Sequence, residues 1–120
     1  MDRQDLRLGR HLLVDAWGAP ADRLDDPDLV GAAAAKGVEA AGATLVNLTV
    51  HQFSPQGVTA VATLAESHLA LHTWPEHGFF GLDIFLCGEL RAGSAIEEVC
   101  RLLGAADHRV QELERSMPRG

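Results

Sequence analysis

The sequence predicts an α+β fold: a two-layer sandwich of a mostly antiparallel β-sheet with two helices on one face. Three observations predict it. Short β-branched and apolar runs at 44–53 and 58–65 flank Ser54-Pro55-Gln56-Gly57, which has turn chemistry. Two other segments place apolar residues at helical spacing and carry their own start or stop signals. The resulting order, β-α-β-β-β-α-β, has connections short enough for hairpins, which favours antiparallel neighbours and helices gathered on one side.

Each element has a local reason. Residues 8–17 read as a strand around Leu12, Leu13 and Val14, closed by Gly18-Ala19-Pro20. A polar loop over 22–26 leads to the first helix. There Asp26 can cap, Pro27 suits the first helical position, and Asp28 suits the positive end of the dipole. Leu29, Val30, Ala33, Ala34, Val38 and Ala41 make its apolar face, and Gly42 ends it. After the hairpin, the chain runs extended beyond Glu66 to Pro75, and 79–87 is a further apolar run interrupted by Asp83. Ser94-Ala95-Ile96-Glu97 reads as a capping box opening the second helix, with Ile96, Val99, Cys100 and Leu103 on one face and Gly104 at its end. A last strand is expected at about 108–114. With both helices on one side, the other sheet face needs a partner, which points to a homodimer.

The bulk properties narrow the function. A length of 120 residues predicts a single domain over 1–120, small enough that a second subunit is expected to complete its sites. Net charge is −7 with no cluster of Lys or Arg, which argues against nucleic acid and anionic membrane as partners. No stretch approaches the roughly 18 apolar residues of a membrane span. Met1-Asp2-Arg3-Gln4-Asp5 lacks the blocks of a signal peptide, so a cytoplasmic location is expected, with Cys87 and Cys100 as thiols.

The chemistry concentrates in Glu66-Ser67-His68-Leu69-Ala70-Leu71-His72-Thr73-Trp74-Pro75-Glu76. A serine lies between a carboxylate and a histidine, with a second histidine four residues beyond the first. In an extended strand, His68 and His72 share one face, and Ser67 lies on the other with Leu69 and Leu71. Dense polar groups among leucines mark a functional segment. Together with Gly9-Arg10-His11-Leu12, Phe53-Ser54-Pro55-Gln56-Gly57-Val58 and Asp83-Ile84-Phe85-Leu86-Cys87-Gly88, this stretch resembles the short prokaryotic type of S-adenosylmethionine decarboxylase over most of the chain.

The resemblance implies a self-processing carboxy-lyase that supplies the aminopropyl donor for spermidine and other polyamines. Ser67 Oγ attacks the Glu66 carbonyl to form an ester, and loss of the Ser67 α-proton then expels Glu66 as a new C-terminus. The dehydroalanine left behind hydrolyses to a pyruvoyl group. The products are a β chain of 1–66 and an α chain of 67–120, paired in a homodimer of processed αβ units. The pyruvoyl cofactor forms a Schiff base with the substrate amine. By the same resemblance, His72 assists proton transfer in processing and Cys87 donates a proton to the substrate. Phe53 stacks on adenine, Glu76 accepts from the ribose hydroxyls, and Trp74 or Phe53 faces the sulfonium. Thr59 stands where the family commonly has a serine that supports processing. It keeps the hydroxyl, with a β-branch that restricts χ1. His77 and Phe79-Phe80 replace residues that are often alanine and tyrosine in the family.

Other readings weigh against these residues one at a time. Ser67 alone would be an ordinary strand serine, and Cys87 alone a small buried hydrophobe. His68 is read as structural, His11, His51 and His108 as surface or satisfied polar residues, and Cys100 as core. His68, His72, Glu76 and His77 have a composition that zinc accepts, but Pro75 and the strand pattern argue against it, so no metal is expected. A binding subunit without activity would have no use for Glu66, Ser67, His72 and Cys87 together. Within the pyruvoyl class, ornithine or arginine is the alternative substrate, and the acidic balance suits either cation.

Overall fold

The alternation of buried and accessible side chains fixes how the strands lie. The structure is a computed structural model that describes residues 5–65 and 67–119. In chain order the elements are β1 (Leu6–Trp17), α1 (Ala21–Leu24), α2 (Pro27–Ala41), β2 (Leu45–Gln52), β3 (Val58–Leu64) and β4 (Ser67–Trp74). A 3₁₀ turn (Pro75–His77), β5 (Phe79–Leu86), α3 (Ala92–Leu103) and β6 (Asp107–Met117) follow. The six strands form one sheet in the order β2-β3-β4-β5-β1-β6, with every neighbouring pair antiparallel. β4, which carries the Ser67-to-Trp74 chemistry, is therefore interior, flanked by β3 and β5.

One face of the sheet is the core. Leu12, Val14 and Ala16 of β1, Leu69 and Leu71 of β4, and Phe80, Leu82, Ile84 and Leu86 of β5 are all buried with the inner faces of α2 and α3. The two helices sit close because α2 carries Gly37 at their contact. A Cβ there would stand 2.9 Å from Val99 of α3. α2 begins as its sequence predicts, with the Asp26 carboxylate accepting from the Asp28 and Leu29 amides at 3.0 and 3.2 Å. It ends at Gly42 with φ of 80°.

Two local expectations are corrected. The segment expected as a polar loop over 22–26 begins with α1, a single turn that buries Leu24 against the core, so the core face carries three helices. The Ser94 to Glu97 capping box does not open α3. The helix starts at Ala92, with Arg91 at the N-cap and no side-chain cap, and Ser94 lies inside it. Burial of Ala92 in register with Ala95, Ile96 and Val99 outweighs the contribution of a cap, about 1 kcal/mol. β6 is longer than expected because it pairs with β1 along its whole length, beyond the reach of any apolar signal. All its residues are exposed, and ion pairs such as Arg109–Asp15 at 3.2 Å tie it down.

Among the described residues, no helix lies over the other sheet face. The register puts Leu13, Trp17, Val61, Trp74 and Leu113 on this face, and all five are exposed. Among the described residues no helix is long and apolar enough to cross a membrane.

Thr73 is the buried polar side chain of the core and locks the far end of β4. Its hydroxyl donates to the Leu24 carbonyl at 2.7 Å and accepts from the Val58 amide at 2.9 Å. Thr73→Val keeps the shape and leaves both backbone groups unpaired in the core. It should cost about 1–3 kcal/mol, read as a lower urea midpoint at unchanged slope.

Candidate active site

β4 presents its chemistry on both faces and at both ends. Ser67 is its first residue, and the strand alternation turns it toward the helices, in phase with buried Leu69, Leu71 and Thr73. Its hydroxyl oxygen is buried and has no hydrogen-bond partner. Such a group is costly unless it serves chemistry. Glu66, expected as the other side of the scissile bond, lies outside the described residues. Extending the β4–β5 register beyond His68↔Phe85 by one step brings Ser67 alongside Leu86, with Cys87 next in the chain. Cys87 is partly exposed, and Gly88 after it turns the chain with φ of 72°. Cys100 packs at the edge of the core, where burial pushes its thiol up, away from the reactive thiolate form.

A second group assembles at the opposite end of β4. Thr59 of β3 registers with His72, and the Thr59 hydroxyl oxygen lies 3.1 Å from His72 Nδ1, fixing the imidazole. Phe53, Thr59, His72, Trp74 and Glu76, with Gln56 and Gly57, line one cavity of about 310 Å³. The turn after β2 delivers Phe53 to it. The Phe53 amide donates to the Gly57 carbonyl at 2.8 Å, and the Gly57 amide donates to the Asp25 carboxylate at 2.9 Å. Gly57 has φ of 105°, and a Cβ on it would stand 3.3 Å from the Thr73 carbonyl. A glycine is required here on both counts. Phe53 and Trp74 are each about half exposed, and Trp74 packs on Phe79 with ring centres 5.4 Å apart.

The two groups do not meet within the chain. Five residue steps separate Ser67 from His72, which is about 17 Å along the strand, and the two side chains leave opposite faces. The histidines weighed as zinc ligands also part company. His68 and His72 share a face but stand about 13 Å apart along β4, beyond the reach of a single ion.

His68 instead joins two residues that had no functional reading in the sequence. Its Nε2 lies 3.5 Å from Asp83 Oδ1, and His11 Nε2 bonds the same oxygen. The signal for Asp83 was there, a carboxylate interrupting an apolar strand. Its partners were hidden because β1 becomes the neighbour of β5 only through long-range pairing.

Known proteins share this sequence and fold. The sequence model of the family described as S-adenosylmethionine decarboxylase matches residues 10–116. A relative from Methanococcus maripaludis named S-adenosylmethionine decarboxylase proenzyme is 39% identical over 112 residues, 92% of each chain. A protein of the same name from Geobacillus kaustophilus is 36% identical over 110 residues, 92% of this chain and 89% of that one. Among solved structures, the adenosylmethionine decarboxylase of Aquifex aeolicus superposes with a TM-score of 0.85 at 33% identity, covering 93% of both chains. The chain belongs to the S-adenosylmethionine decarboxylase family.

Proposed function

We propose that this chain cuts itself between Glu66 and Ser67 and, as a homodimer of processed units, decarboxylates S-adenosylmethionine at sites shared between subunits. The observation that carries the reading is the Ser67 hydroxyl, buried and unpaired at the first residue of β4. A hydroxyl with no competing partner is available to attack the carbonyl before it. The ester that results breaks when the Ser67 α-proton is removed, and residue 66 leaves as a carboxylate.

The residues present fit a pyruvoyl group at position 67, which supplies an electron sink for loss of the substrate carboxylate. The rest of the work falls to side chains. Phe53 offers its exposed ring to adenine, and Glu76 accepts from the ribose hydroxyls. Trp74 gives the sulfonium an aromatic face, a contact worth about 0.5–2 kcal/mol. Cys87, one step beyond Ser67 across the β4–β5 ladder, returns a proton to the substrate α-carbon. The relatives reported above are all named for S-adenosylmethionine, which leaves the ornithine or arginine alternative without support.

The dimer follows from the split between the two groups. His72 and its cavity lie about 17 Å along the strand from Ser67 of the same chain. A two-fold arrangement brings the β4 start of one subunit, with residue 67 and Cys87, to its partner's Phe53, Thr59, His72, Trp74 and Glu76. Burial of Leu13, Val61 and Trp74 favours the same contact. The location that suits two thiols and a small cationic metabolite is the cytoplasm. Denaturing mass spectrometry tests the reading. Two fragments meeting at 66/67, the second without a free amino terminus, are expected. A fully intact 12.8 kDa chain without activity would overturn it.

A further inference from the structure

Three short motifs remain outside the chemistry described so far, and they converge on one spot of the open sheet face. His11, Phe85 and His68 stand in line across β1, β5 and β4. The Phe85 ring packs on both imidazoles, with centres 5.8 Å from His11 and 6.0 Å from His68. Gly9 makes room for that ring, since a Cβ at Gly9 would stand 2.8 Å from it and 2.9 Å from the Leu86 carbonyl. Two residues along β5 on the same face, Asp83 bonds His11 and lies 3.5 Å from His68. A carboxylate offers only acceptors, so His11 Nε2 serves as the donor in its bond to Asp83. That fixes the tautomer and the orientation of His11, and His68 stands beside the same carboxylate at ion-pair distance.

We propose that Asp83 is a positioning residue: with His11 and Phe85 it clamps His68, and so holds the strand end that bears the pyruvoyl group. The inference rests on the self-cleavage reading. Cleavage before Ser67 makes His68 the second residue of a new chain and removes the covalent tie from β4 to β3. The start of β4 is then held by its ladder, by the packing of Leu69 in the core, and on the open face by this cluster. His11 belongs to the first fragment, and His68 and Asp83 belong to the second, so the cluster spans the break. A reacting group displaced by about 1 Å can lose about 10²-fold in rate. The three ligand-capable atoms also lie within 4.8 Å of one another, a spacing a divalent cation could span. The direct His11–Asp83 contact already fills that gap, which favours the proton-mediated clamp.

The test compares purified, processed wild type with Asp83→Ala, Asp83→Asn, His68→Leu and His68→Gln, each scored for folded fraction, fragment yield, kcat and KM. Asp83→Ala is expected to cleave slowly and to lose about 10²-fold in kcat per folded, processed site, with KM within a few-fold. Asp83→Asn and His68→Gln keep an acceptor and a donor respectively, so each should retain more kcat than its apolar counterpart. If Asp83→Ala does not fold, the His68→Gln and His68→Leu pair decides alone. Equal kcat across the variants, or losses that track folded fraction only, would overturn the clamp. One equivalent of bound metal in wild type, absent from Asp83→Ala, would also overturn it in favour of an ion. Wild type that neither cleaves nor decarboxylates would instead refute the underlying functional reading.

Discussion

Ser67→Ala is expected to leave the chain whole and to abolish decarboxylation. The alanine removes the one atom that can attack the preceding carbonyl, and without cleavage no pyruvoyl group forms. The loss should be complete, unlike the partial losses that follow removal of an assisting group. Stability should not fall with it, because the Ser67 oxygen is buried without a hydrogen-bond partner. Replacing an unsatisfied buried hydroxyl by hydrogen is neutral or stabilising. An uncut, fully folded variant with a melting temperature equal to or above that of the unprocessed wild-type precursor is therefore the specific expectation. A less stable variant would mean that the hydroxyl has a structural partner.

Cys87→Ala is expected to give the opposite combination, normal fragments with little turnover. The thiol attacks nothing in self-cleavage, so both pieces should appear on denaturing gels at close to the wild-type yield. Decarboxylation should fall by about 10²–10⁴-fold, the usual contribution of a general acid. Some substrate amine should end on the protein when the proton reaches the wrong carbon. Cys100→Ala is the matching control: its thiol sits at the core edge and is held protonated by burial, so its loss should touch stability and leave kcat unchanged. Equal turnover in Cys87→Ala and wild type would make Cys87 a packing residue.

The sequence made the sheet readable because alternation and turns are local. The Asp26-Pro27-Asp28 start of α2 and its Gly42 end appear where their chemistry puts them. Ser94 misled because a good cap signal competes with tertiary burial, and Ala92 in the helix interface wins. α1 was missed because one buried leucine among polar neighbours gives no periodic signal. β6 was only partly legible, since an exposed edge strand held by ion pairs has no apolar stripe. The site shows a different limit. Ser67 to Glu76 looks like one constellation in the sequence, yet an extended backbone spreads it over both ends and both faces of a strand. Residues close in number are then far apart, while Asp83 and His11, 72 positions apart, touch.

The central claim is that one subunit holds only half of each site, and co-expression of two inactive chains tests it most directly. Ser67→Ala contributes an intact His72 cavity, and His72→Ala contributes an intact Ser67 and Cys87. In a mixed dimer, one of the two sites then has every residue it needs. Random pairing should restore about a quarter of wild-type activity, accompanied by cleavage of the His72→Ala chain alone. Neither variant expressed by itself should show either event. No activity and no cleavage in the mixture, with mixed dimers demonstrated by differently tagged chains, would contradict the shared site.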